Sequence, residues 1–91
     1  MTIENAKQII NEYISDPFNF VAPDFLKTDT NKGIKVINWR KGRYGWSNTS
    51  SYYTAEQVEK LKENRDPFAN NEKLYDYMFE IDGIYHIFHL K

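Results

Sequence analysis

Two strand-like runs, Leu74-Tyr75-Asp76-Tyr77-Met78-Phe79-Glu80-Ile81 and Ile84-Tyr85-His86-Ile87-Phe88-His89-Leu90, flank the pair Asp82-Gly83. This stretch constrains the fold more than any other. Asp-Gly between alternating apolar runs predicts a β-hairpin closed by a type I′ turn, because that turn requires positive φ at both central residues. A two-residue loop then sets the register: Ile81 opposite Ile84, Phe79 opposite His86, Tyr77 opposite Phe88 and Tyr75 opposite Leu90. With period-2 alternation these side chains share one face, apolar except for His86, while the other face is mixed and partly wet.

Upstream, Thr2 is a good N-cap with Glu4 in the first turn, where the helix dipole favours an acid. Ile3, Ala6, Ile9 or Ile10, Tyr13 and Ile14 recur at helical spacing, and Asp16-Pro17 stops the pattern, so a helix is expected over about residues 3–15. Residues 16–32 carry Phe18, Phe20, Phe25 and Leu26 without a period; Pro23–Leu26 fits one helical turn, and the aromatics are expected to close an edge of the core. Thr28–Gly33 is turn chemistry. Its carboxylate and hydroxyls lack the spacing and the glutamate at position twelve of a calcium loop.

Gly33 opens a strand, Ile34–Arg40, and a tight turn at Lys41-Gly42 would set Arg40 opposite Arg43, Trp39 opposite Tyr44 and Ile37 opposite Trp46. Ser47–Ser51 reads as a polar loop. Thr54-Ala55-Glu56-Gln57 is a capping box, with Tyr53 and Val58 in hydrophobic-staple positions, and predicts a second helix over about 55–65 that ends at Asp66-Pro67. Ala69–Glu72 leads into the closing hairpin. Asp-Pro-Phe occurs twice, at 16–18 and 66–68, as shared stop chemistry rather than an internal repeat.

The resulting expectation is one α+β domain over residues 1–91, of order α-β-β-α-β-β. It comprises a four-stranded antiparallel sheet with both helices packed on one face. Ninety-one residues leave no room for a second core, and 41% apolar with 16% aromatic residues is enough for one. With no cysteine, disulfides and thiolate metal sites are excluded. Residues 1–5 have no signal-peptide pattern, and no apolar run approaches a membrane span, so the expected localisation is cytoplasmic, without membrane association. Asn, Lys, Ile, Tyr and Phe make up 40 of the 91 residues, and their A/T-rich codons suit a low-GC bacterium or its phage.

A net charge of −1 conceals an asymmetry: +2 over residues 1–53 and −3 over 54–91. No acid lies between Asp29 and Glu56, whereas Lys32, Lys35, Arg40, Lys41 and Arg43 all do. Within that segment Lys35, Trp39, Arg40, Lys41, Arg43, Tyr44 and Trp46 combine cations with the aromatic types enriched at binding hot spots.

The other candidates are weaker. His86 and His89 are three apart, on opposite faces of a strand, and so do not share a metal. His86 reads as a hydrogen-bonded member of an aromatic face, and His89 as a cross-strand partner of Asp76. Gly42–Gly45 has the letters of an RNA-binding GxxG loop, but strands rather than helices flank it. Asn48-Thr49-Ser50 spells a glycosylation acceptor, which means nothing without secretion. No residue is marked as nucleophile, base or oxyanion donor.

The sequence therefore predicts a small non-enzymatic, cofactor-free protein-binding modulator or inhibitor, of the kind a phage or mobile element carries as an accessory. It would engage an acidic partner surface through hairpin 35–46. The alternative is a nucleic-acid-binding module using the same hairpin, where bases stack on rings and cations track phosphates; five cations are few for phosphate affinity.

Overall fold

The structure is a computed structural model that describes residues 1–64 and 73–90. Helix α1 spans Ile3–Ser15, strands β1 and β2 span Ile34–Gly42 and Gly45–Tyr53, helix α2 spans Ala55–Lys62, and strands β3 and β4 span Tyr77–Ile81 and Ile84–His89. The α+β class and the element order agree with the sequence.

Both helix starts form as their capping residues dictate. Thr2 accepts a hydrogen bond from the Asn5 amide, and Thr54 and Gln57 close a reciprocal capping box. Helix α2 ends sooner than expected. Glu63 is its C-cap, and Asn64 enters the left-handed region at φ 52°, where asparagine is among the few tolerated side chains. Asn64 then ties the helix end to the approach to β3: its Oδ1 accepts from the Leu74 and Tyr75 amides, both at 3.1 Å. The expected stop at Asp66-Pro67 and the lead-in at 69–72 lie outside the described residues.

The sheet has the order β2-β1-β4-β3, and it is mixed rather than wholly antiparallel, because β1 and β4 run parallel. The cause is α2. A helix that carries the chain from β2 to β3 returns it in the same direction, so β3 runs parallel to β2. Its hairpin partner β4 is then antiparallel to β3 and parallel to β1.

The helices also lie on opposite faces instead of sharing one. α1 covers Ile37, Trp39, Ile81, Ile84 and Phe88 with Ala6 and Ile10, and α2 covers Val36 and Ile87 with Val58. The inner strands β1 and β4 are thus buried on both sides, as strands in a parallel pair tend to be. The second face, expected to be partly wet, is in fact a second core. Tyr75 belongs to it, with its hydroxyl donating to the Leu61 carbonyl at 2.7 Å. The predicted Tyr75–Leu90 pair does not form, since β3 begins at Tyr77 and the Asp76 carboxylate takes the Leu90 amide at 2.8 Å.

The closing hairpin has the expected register, Ile81 with Ile84, Phe79 with His86 and Tyr77 with Phe88, around Asp82 and Gly83 at φ 52° and 80°. The first hairpin does not. It turns at Arg43-Tyr44, with Gly42 opposite Gly45, Lys41 opposite Trp46 and Arg40 opposite Ser47. Residues 47–51, read as a loop, are therefore strand. Gly45 adopts φ 126°, a conformation that an L side chain resists, and this places the turn two residues beyond Lys41-Gly42.

Candidate functional site

Beyond Trp39 the first hairpin runs past the core, and Arg40 through Gly45 are all exposed. Lys41 pairs with Trp46 on the α1 face, Arg40 pairs with Ser47 on the α2 face, and Arg43 and Tyr44 form the tip. The three cations thus point in different directions around one protrusion. The Arg43 guanidinium stands 5.7 Å from the centre of the Tyr44 ring, a cation–π contact at the tip itself.

Below the tip is a cleft of about 590 Å³ between the hairpin and the C-terminal half of α1. Trp46 and Tyr13 line it, with Arg43 and Tyr44 on the hairpin side and Glu12 and Phe18 opposite. Asp16 builds that opposite rim. Its two carboxylate oxygens accept from the Phe18 amide at 2.9 Å and the Asn19 side chain at 3.0 Å, in an Asx turn. This turn sends Phe18 outward. Phe18 is 94% exposed and Tyr44 93% exposed, so two large rings stand in solvent on the two sides of one cleft. Trp46 is half-buried and meets Phe88 edge-on at 5.7 Å. The cleft therefore joins free aromatic area to a base anchored in the core.

Not every residue singled out from the sequence belongs to this surface. Trp39 is 0% exposed; it packs against Tyr13, Phe25 and Phe88 and donates its indole N–H to His86 Nδ1 at 3.0 Å. Lys35 is 5% exposed and points into the protein, where its ammonium donates to the carbonyls of Asp24, Phe25 and Lys27. A buried cation needs such partners, and here the end of the 22–27 turn supplies them. Lys35 thus fastens the long α1–β1 connection to the sheet. Arg40, Lys41, Arg43, Tyr44 and Trp46 are the residues of the group that reach the surface together.

Phe18 was missed as a site residue. Its signal was in the sequence: Asp-Pro followed by a ring in a segment with no apolar period. Phe20, also expected to close the core, is exposed as well, whereas Phe25 does pack on Tyr13 and Trp39.

His86 is buried within the aromatic face. Desolvation lowers its pKa to about 4, with Lys35 acting the same way and Asp82 opposing. His89 is paired with Asn38 at 3.4 Å rather than with Asp76, and burial, then Arg40, lower its pKa while Asp76 raises it. Among the described residues no three histidines and acids are grouped to hold a metal ion, and no helix is long and apolar enough to cross a membrane.

Comparison with family models, with curated proteins and with solved structures found no match to this chain.

Proposed function

We propose that this chain is a non-enzymatic protein-binding modulator or inhibitor that docks its first hairpin onto an acidic surface of a partner protein. The observation that carries the reading is the pair of solvent-exposed rings, Phe18 and Tyr44, on the two sides of a cleft at the tip where Arg40, Lys41 and Arg43 project. Large exposed aromatics beside arginine are the residue types on which binding energy concentrates. Lys41 and Arg43 would meet carboxylates of the partner, and an apolar side chain of the partner would enter between the rings onto Trp46. A phage or mobile-element accessory protein of the cytoplasm is the setting that the size and composition favour. The nucleic-acid alternative is less well supported, because Trp39 is buried and Trp46 is half-covered, leaving Tyr44 as the freely stacking ring of the hairpin.

The test is comparative capture from host lysate with the wild-type chain and with an Arg43→Glu/Tyr44→Ala double variant. A protein retained by the first and lost by the second supports the proposal. Equal retention by both places the site elsewhere. A labelled single-stranded oligonucleotide provides the second arm. Binding that falls steeply and linearly with salt on logarithmic axes overturns the protein-binding reading in favour of nucleic acid.

A further inference from the structure

A second cavity, of about 210 Å³, lies on the α1 side of the sheet at the turn of the closing hairpin, away from the first hairpin. Its walls divide by chemistry. Ile10, Leu26, Ile81 and Ile84 form an apolar side, and Lys7, Asn11, Asp82 and His86 supply the polar groups.

His86 is 1% exposed, and its Nδ1 accepts the Trp39 indole N–H. A neutral imidazole that accepts at Nδ1 carries its proton on Nε2, which becomes a donor. Nε2 makes no protein hydrogen bond among the described residues, and since the buried side-chain atom left without a partner there is Asn48 Nδ2, Nε2 is open to the cavity rather than sealed in the core. Lys7 and Asp82 likewise form no ion pair with each other; among the described residues the salt bridge present is Lys62–Glu59. One positive charge, one negative charge, an amide and an imidazole N–H without a protein partner among the described residues thus line a small, half-apolar cavity.

We infer that this cavity binds a small aliphatic α-amino acid. Its carboxylate is received by Lys7, Asn11 and the His86 Nε2–H, its ammonium by Asp82, and its side chain by Ile10, Leu26, Ile81 and Ile84. The size agrees. Set against about 30 Å³ per water in the liquid, 210 Å³ is room for roughly seven heavy atoms, which suits a small ligand of about valine's size. A carboxylate alone would leave Asp82 facing like charge, and an amine alone would leave Lys7 and the histidine donor unused. The inference is independent of the hairpin reading, since it uses none of the same residues.

The Trp39 indole N–H reports on the site, because its acceptor is the ring that the ligand touches. The indole signals of Trp39 and Trp46, assigned with a Trp46→Phe variant, are followed by NMR as the wild-type chain is titrated with L-valine, isovalerate and isobutylamine. The expected result is a saturable shift of the Trp39 signal with L-valine, at an affinity at least about tenfold above that of either analogue. Asp82→Asn keeps a residue that tolerates the left-handed turn and removes the negative charge; it should abolish the preference for L-valine over isovalerate. No saturable shift with any probe at tens of millimolar overturns the inference. So does equal binding of L-valine and isovalerate by the wild-type chain, or an unchanged preference in Asp82→Asn.

Discussion

The two hairpins of this sheet differ in where their residues go. In β3–β4, Ile81, Ile84, His86, Ile87 and Phe88 are all buried, and the chain reverses within two residues of the core. β1–β2 shares the core only as far as Trp39, then continues through six consecutive exposed residues from Arg40 to Gly45. One hairpin is fixed by packing on both of its faces, and the other ends in cations and a free ring that pack on little. Residues that hold the fold and residues free to meet a partner are therefore separable, and substitutions should show it.

Phe88→Ala should have the largest effect. Phe88 packs against Trp39, Trp46, Phe79 and His86 at ring separations of 5.7–6.5 Å. Its loss leaves a cavity at the centre of the sheet and should cost ~3–5 kcal/mol, read by chemical or thermal denaturation. A variant that melts within a degree or two of wild type would mean that the closing hairpin does not anchor the core through Phe88.

Acid should act on the same hairpin. The His86 pKa is lowered from its ordinary 6.5 to about 4, chiefly by desolvation. Between those values the unfolded chain binds a proton that the folded chain does not. Stability is thus full above about pH 6.5 and declines as the pH falls toward 4, by on the order of 3 kcal/mol. His89, lowered in the same direction by burial, adds to the trend. Melting temperature against pH should fall less steeply in His86→Gln, which retains an acceptor for the Trp39 indole.

At the base of the other turn, Gly45→Val forces a β-branched residue toward φ 126°. The cost should be ~1–3 kcal/mol, with amide shifts confined to residues near 40–49. Shifts spreading into β4 would mean that the tip and the core are coupled after all.

How much of this could be read from the sequence follows from the turns. Asp82-Gly83 names its own conformation, so the closing register is legible from Ile81–Ile84 to Tyr77–Phe88, while the expected Tyr75–Leu90 pair beyond it gives way to the Asp76 carboxylate on the Leu90 amide. In Lys41-Gly42-Arg43-Tyr44-Gly45 two glycines compete, and only the φ taken at Gly45 decides that the turn lies at Arg43-Tyr44. The shift of the pairing was by an even number of residues, so Trp39 and Trp46 still share a face, as expected. The polar run Ser47–Ser51 concealed a strand because β2 is an edge, where polar residues sit comfortably. The parallel β1–β4 pair and the second core depended on the path of α2, which no local pattern encodes. The near-continuous apolar runs Ile34–Ile37 and Ile84–Phe88, interrupted only by Lys35 and His86, were the available sign of strands buried on both sides. Lys35 reads as a surface cation from its sequence, because charge alone does not reveal the three backbone carbonyls at residues 24, 25 and 27 that receive it.

The smallest effect on stability belongs to the residues with the largest proposed role. Arg43 and Tyr44 contact each other across 5.7 Å and stand in solvent, so an exposed cation–π pair is the main interaction that their replacement removes. Arg43→Glu/Tyr44→Ala should therefore shift unfolding free energy by no more than ~1 kcal/mol. Neither residue needs the positive φ that Gly45 supplies, so the turn survives the change. On the proposed reading, binding should respond in the opposite sense: the double variant loses the ring and would meet an acidic surface with repulsion instead of attraction. If it unfolds as readily as Phe88→Ala, the tip is part of the core and the two hairpins are not the different devices their burial describes.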